Sequence, residues 1–143
     1  RYMNLQQKEK ENKLYYFTSV YFIIDTKKKT GEYVNAGHPK GYALVDGEKT
    51  VPITSTSYAV GFVEDIKIEK AVIPYNSSIQ IVLFTDGVLE AMGPCDLESE
   101  KELCKIASSH WSTDISPIDY LLKGELQHNQ PDDMCVLLLR ANS

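Results

Sequence analysis

Histidine, cysteine and tryptophan are scarce in this 143-residue sequence, and long apolar runs are missing altogether. The three cysteines, Cys95, Cys104 and Cys135, show no Cys-x-x-Cys spacing, and an odd number leaves at least one unpaired. A disulfide framework is thereby excluded, and a reduced, cytoplasmic setting is expected. The longest apolar stretches run to about five residues, against the roughly 20 that span a bilayer, so no part of this segment is expected to cross a membrane. Lysine and arginine form no long basic stripe, and the net charge is -5. That balance argues against nucleic acid, whose sequence-independent affinity comes from neutralised phosphates. The one basic run, Lys27-Lys28-Lys29 beside Thr30-Gly31, reads as a solvated hairpin turn.

What remains is an ordinary globular composition, 43% hydrophobic and 24% charged, in a length that suits one domain. Residues 1–14 are polar, helix-compatible and devoid of Asp and Gly. They read as the tail of an upstream helix, because the chain opens at Arg1 inside a polar segment. An anchor or sensor further upstream stays open. Tyr15 to Ile24 is rich in aromatic and β-branched residues and predicts a buried strand, returning after a turn through Glu32-Tyr33-Val34-Asn35. Asp46-Gly47 supplies the positive backbone angles of a two-residue hairpin between Tyr42–Val45 and Glu48–Ile53. Further strands are predicted over Ile66–Ile73, Ile79–Phe84 (buried on both faces) and Met134–Leu139, the last with Cys135 as a small buried hydrophobe. Asp96 predicts the N-cap of a helix to about Ser109, and Ser116-Pro117 starts a second through Leu121, Leu122 and Leu126. The order predicts an α+β domain with helices packed on a largely antiparallel sheet.

Two acidic turns carry the chemistry. Asp86-Gly87 follows the strand ending at Phe84-Thr85, and Asp132-Asp133 precedes the strand starting at Met134. If those strands are antiparallel neighbours, Asp86 and Asp132 meet at one sheet edge. Carboxylates gathered there repel one another unless a cation lies between them. Oxygen ligands without His or Cys favour Mg²⁺ or Mn²⁺ over Zn²⁺, and such an ion can activate water against a phosphoryl group. By residue type and spacing alone, both segments also read as ordinary turns. His38 is read either as a general acid at the site or as a strand-end histidine satisfied by backbone, the latter being favoured. Gly61 is read as a hinge near the site or as a plain turn glycine.

Four segments in order resemble a known family: Tyr33-Val34-Asn35-Ala36-Gly37-His38-Pro39, Ala59-Val60-Gly61-Phe62, Leu83 to Ala91 with its Thr85-Asp86-Gly87 core, and Pro131-Asp132-Asp133-Met134-Cys135-Val136. Together they are similar to bacterial metal-dependent serine/threonine phosphatases of the 2C type, the group that includes the sporulation stage II phosphatase and stress-sigma-factor regulators. The resemblance covers about Phe17 to Arg140. It implies a four-layered αββα sandwich that hydrolyses phosphoserine or phosphothreonine on a protein with two Mn²⁺ or Mg²⁺ ions. Asp86 and Asp132 are the implied metal ligands, with Asp133 a weaker one, and Gly87, Gly61 and His38 lie near the site. The implied partner is a phosphorylated regulatory protein, by analogy an anti-sigma-factor antagonist.

One departure stands out. The family's earlier Gly-Asp strand end and Gly-rich turn, which complete the metal cluster, have no counterpart before Tyr15. Residues 15–143 therefore read as the C-terminal part of such a domain, incomplete at its N-terminus and inactive alone. Truncation, completion by upstream residues and a degenerate relative all remain open. A fragment of this kind should expose sheet edges and form a homodimer or exchange strands to cover them. The rival reading is a non-catalytic, phosphatase-like module that binds a phosphoprotein or partner subunit.

Overall fold

A computed structural model describes residues 16–61, 63–65, 67–93, 97–112, 114–122 and 132–142. The expectations for residues 1–14, Phe62, Asp96 and Pro131 fall outside these. The chain divides into two compact units, one of residues 1–38 and 54–74, the other of residues 39–53 and 75–143.

The first unit holds a three-stranded antiparallel sheet in the order β1-β2-β5, from β1 (Ser19–Asp25), β2 (Thr30–Ala36) and β5 (Ala71–Pro74). The β1–β2 turn is tied by Asp25, whose carboxylate accepts the N–H groups of Lys28 (2.9 Å) and Lys27 (3.0 Å). These bonds hold its pKa below the usual value. The three lysines are exposed, as the turn reading requires. β1 differs from expectation in two ways. Its ladder begins at Ser19, with Phe17 making a separate bridge to Val60. Only one of its faces is covered: Tyr21 is 66% and Ile23 45% exposed. Among the described residues β1 is an edge strand, and aromatic-rich composition alone does not distinguish a covered face from an open one. The strand expected over Ile66–Ile73 is confined to Ala71–Pro74, with Pro74 as its last residue and Lys67–Lys70 lying outside the ladder.

The second unit holds a four-stranded antiparallel sheet in the order β4-β3-β6-β7, from β3 (Gly41–Val45), β4 (Lys49–Ile53), β6 (Ser78–Phe84) and β7 (Val136–Asn142). Asp46 and Gly47 both take positive φ, but Val45 pairs with Lys49, so the loop holds three residues and Glu48, expected to open the return strand, belongs to it. β6 is buried along almost its whole length, and Gly41 faces it closely: a Cβ there would meet the Val82 carbonyl at 2.6 Å. Three helices pair their apolar residues with one face of this sheet: α1 (Asp86–Met92), α2 (Leu97–Ala107) and α3 (Pro117–Leu121). Their core joins Val88, Leu103, Ala107, Trp111, Leu121 and Leu122 to Tyr42, Val82 and Phe84. Burial there pushes the Tyr42 hydroxyl up to about 12.

A buried amide organises the helical side. Gln80 donates from Nε2 to the Ser109 carbonyl (2.9 Å), while its Oε1 accepts the Trp111 N–H (3.1 Å) and Arg140. Trp111 is fully buried and stacks on Tyr120 with ring centroids 4.6 Å apart. Ser116-Pro117 does open α3, but the described helix ends at Leu121, and Leu126 lies outside the described residues. Cys135 corrects another expectation: it is exposed, because it precedes β7 in the loop. The α+β class with largely antiparallel sheets holds. Among the described residues no helix is long and apolar enough to cross a membrane.

Candidate active site

The β6–β7 register decides where the acidic turns fall. Phe84 pairs with Val136, so the residues just beyond, Thr85 and Cys135, also face one another. The Thr85 N–H donates to the Cys135 carbonyl (3.1 Å). The Thr85 hydroxyl accepts the Cys135 N–H (3.0 Å) and donates to the Asp133 carbonyl (3.3 Å). Thr85 is also the N-cap of α1, in extended geometry, yet its hydroxyl makes no capping bond within the helix. It stitches the two chain reversals together instead.

Asp86-Gly87 is the first turn of α1, not the plain turn that Asp-Gly suggests. Val88, Leu89, Ala91 and Met92 turn their apolar side onto the core, which overrides the low helix propensity of Gly87. A Cβ on Gly87 would lie 2.3 Å from the Asp133 carbonyl oxygen and 3.0 Å from that of Asp132. Glycine therefore lets the helix start press directly against the Asp132-Asp133 backbone. Asp132 turns its own carboxylate to accept the Asp133 N–H (2.8 Å). Asp86, Asp132 and Asp133 are all exposed. The structure thus brings Asp86, Gly87, Asp132 and Asp133 together at one sheet end.

His38 and Gly61 belong to the other unit. Asn35 is fully buried at the end of β2, and its Oδ1 accepts the His38 N–H (2.9 Å). Its backbone carbonyl accepts the N–H groups of Thr56 (2.8 Å) and Ser57 (3.1 Å). Gly37 takes positive φ and packs so closely on Ala59 that a Cβ would lie 2.9 Å from the Ala59 Cβ. The Asn-Ala-Gly-His-Pro segment is thereby locked to the Ala59-Val60-Gly61 segment. The His38 ring bonds through Nδ1 to the Thr18 hydroxyl (3.1 Å). Gly61 has φ of 93°, a conformation that favours glycine.

Matched against known families, the chain fits stage II sporulation protein E (SpoIIE) over residues 1–142. The chain belongs to the SpoIIE family. Among curated proteins, it is 27% identical over 134 residues to phosphoserine phosphatase RsbP of Bacillus subtilis (strain 168). That alignment covers 90% of this chain and 32% of RsbP. Among solved structures, one of the PP2C phosphatase domain and a regulatory-domain fragment of SpoIIE from Bacillus subtilis superposes with a TM-score of 0.72 at 16% identity. It is matched over 95% of this chain and 42% of its own. The SiaA-PP2C domain of Pseudomonas aeruginosa gives 0.69 at 16% identity, over 96% and 56%. These likenesses show the fold, and the chain spans a third to little more than half the length of each relative.

Among the similar structures, a SpoIIE phosphatase domain from Bacillus subtilis is described as Mn presoaked and RsbX as being in complex with magnesium. Asp86 and Asp132 offer hard carboxylate oxygens, and the absence of a side chain on Gly87 lets the two acidic turns approach closely. That chemistry fits Mg²⁺ or Mn²⁺, which keep several waters in their coordination shells. It fits as one side of a site: among the described residues no three His, Cys, Asp or Glu groups gather closely enough to enclose an ion. Sequence reasoning found the two carboxylates but missed Thr85 as their link. The signal was present, a hydroxyl residue between a buried strand and Asp-Gly.

Proposed function

We propose that residues 15–143 form the C-terminal part of a metal-dependent protein phosphatase domain that hydrolyses phosphoserine or phosphothreonine. Asp86 and Asp132 would hold Mn²⁺ or Mg²⁺, with Asp133 orienting the turn and contributing more weakly. The supporting observation is the Thr85 stitch across the β6–β7 end, which brings the two acidic turns together. Bound divalent metal lowers the pKa of its water and screens phosphoryl oxygens. The chain's own contribution is positional. Thr85 and Gly87 fix the spacing of the acidic turns, and the carboxylates supply negative charge that stays solvated until a cation arrives. The relative's printed name, a phosphoserine phosphatase, supports phosphoserine as the substrate group. A phosphorylated regulatory protein in the cytoplasm, an anti-sigma-factor antagonist by analogy, is the proposed partner.

The second reading is a binding module that grips a phosphoprotein without turnover. It draws support from the missing third ligand among the described residues. Phosphomonoester hydrolysis by the uninterrupted gene product, with and without Mn²⁺, separates the two. Metal-dependent turnover lost in Asp86→Asn supports the enzyme. Phosphopeptide binding without turnover, in folded protein, supports the module.

A further inference from the structure

The β1–β2 hairpin ends in the sequence's one run of three consecutive basic residues, Lys27-Lys28-Lys29. Asp25 pairs with Thr30, so the loop is Thr26–Lys29, and all four of its residues are exposed. The other described lysines of this unit stand beside acids: Lys67 bonds Glu69 at 3.2 Å and Lys70 bonds Glu32 at 3.4 Å. At the tip the neighbouring acid is Asp25, whose Oδ1 is taken by the N–H groups of Lys27 and Lys28. Three ammonium groups therefore share one counter-charge on a backbone that is held in place.

Lys29 adds a second observation. It takes φ of 54°, in the left-handed region that glycine or asparagine occupies at less cost. Among the described residues one other non-glycine residue, Asp46, has positive φ, and its carboxylate repays the strain with N–H bonds from Asn76, Ser77 and Ser78. The Lys29 side chain makes no such bond among the described residues. What lysine brings to this position is charge, and strain kept for no structural return points to a function.

The charge distribution names the partner's chemistry. The chain carries -5 overall, and Asp86, Asp132 and Asp133 are exposed. Both repel a phosphoprotein, whose phosphoserine brings about -1.5 to -2 at neutral pH. A fixed cluster of positive charge offsets that repulsion and steers encounter. The loop has no apolar side chain to insert into a membrane. Its three charges also fall short of the roughly 6–10 phosphate contacts of a duplex-binding protein.

We propose that the Lys27-Lys28-Lys29 tip is an electrostatic docking point for an acidic face of the partner phosphoprotein. The inference rests on the phosphoprotein partner named above, but not on turnover. Its test is the binding of a labelled, glutamate-rich phosphoserine peptide to the uninterrupted gene product in chelator, across a range of salt. Affinity should fall as salt rises. At low salt Lys27→Glu/Lys28→Glu/Lys29→Glu should lower it by about tenfold or more. Lys49→Glu/Lys67→Glu/Lys101→Glu changes the net charge equally at scattered exposed sites and should keep most of the affinity. Lys29→Gly should melt at a higher temperature yet bind the peptide more weakly. Absent or salt-insensitive binding overturns the proposal, as do equal losses in the clustered and scattered variants. So does Lys29→Gly that binds like wild type. Adsorption to phosphatidylserine vesicles that the clustered variant abolishes, with peptide binding unchanged, assigns the tip to lipid and overturns it too. Turnover of p-nitrophenyl phosphate with Mn²⁺ is read separately. Its absence beside tip-dependent peptide binding sinks the phosphatase reading and supports the docking point.

Discussion

Gly87 and Asp133 stand in a contact that tolerates no side chain between them: a Cβ on the glycine would sit 2.3 Å from the aspartate's carbonyl oxygen. The obstacle is backbone in the turn that precedes β7, so it cannot swing aside as a flexible side chain would. In an open helix, Gly→Ala stabilises by about 1 kcal/mol. Here the sign reverses. Gly87→Ala is expected to destabilise by about 1–3 kcal/mol, the range for overpacking, and to push the Asp132-Asp133 turn away from Asp86. Denaturant unfolding together with Mn²⁺ titration checks both effects. Equal stability and equal Mn²⁺ affinity would contradict the close approach.

Thr85 tests the same junction from the other side. Thr85→Val keeps the shape and removes a hydroxyl that accepts the Cys135 N–H and donates to the Asp133 carbonyl. The expected loss is about 1 kcal/mol, a few degrees in melting temperature. Thr85→Ser keeps both bonds and should recover most of it. If serine and valine behave alike, the hydroxyl does not hold the junction.

Asp46 gives a pH dependence. Its carboxylate accepts the N–H groups of Ser77 (2.7 Å), Ser78 (3.1 Å) and Asn76 (2.9 Å), and these bonds hold its pKa below the usual 3.8. The folded value lies below the unfolded one. The stabilisation is therefore complete above about pH 5 and fades as pH falls through 3.8 toward the lower folded value. Asp46→Asn tolerates the positive φ of this position and removes the charge. The stability gap between wild type and Asp46→Asn should be constant near neutrality and narrow below pH 4. A gap independent of pH would show that the ionised form is not what the loop selects.

Gln80 tests the helical side of the sheet. Gln80→Leu leaves the buried Trp111 N–H and Arg140 without their shared acceptor. An unsatisfied buried donor costs about 1–3 kcal/mol. Trp111 is the sequence's one tryptophan, so its emission reports the change directly. Emission should shift to the red in Gln80→Leu as the indole loosens. An unchanged spectrum and melting temperature would remove Gln80 from this role.

Much of this was legible in the sequence, for definite physical reasons. Asp46-Gly47 specified its hairpin because few residue pairs adopt two successive positive φ angles. The uninterrupted apolar run of β6 announced a strand covered on both faces. The meeting of Asp86 with Asp132 followed from one assumption, that β6 and β7 pair antiparallel, and the register bears it out. What stayed hidden depended on partners distant in sequence. Tyr21 and Ile23 look like core residues by composition, but they lie on the open face of their sheet. α1 was concealed because Asp-Gly is a strong local turn signal, and only tertiary packing of Val88 and Ala91 turns it into a helix start. Asn35 gave no sign that its backbone would be tied to Ser55 and Thr56, since these partners lie some 20 positions away.

The most direct test of the phosphatase reading is hydrolysis of a phosphoserine substrate by the uninterrupted gene product with Mn²⁺, beside its Asp86→Asn and Asp132→Asn variants. The account predicts turnover in the first that chelator abolishes and Mn²⁺ restores, and its loss by orders of magnitude in both variants, with folding retained because both side chains are exposed. Turnover that persists in the folded variants would contradict the placement of the metal. Folded wild-type protein that binds the phosphopeptide but never hydrolyses it would contradict the enzyme itself.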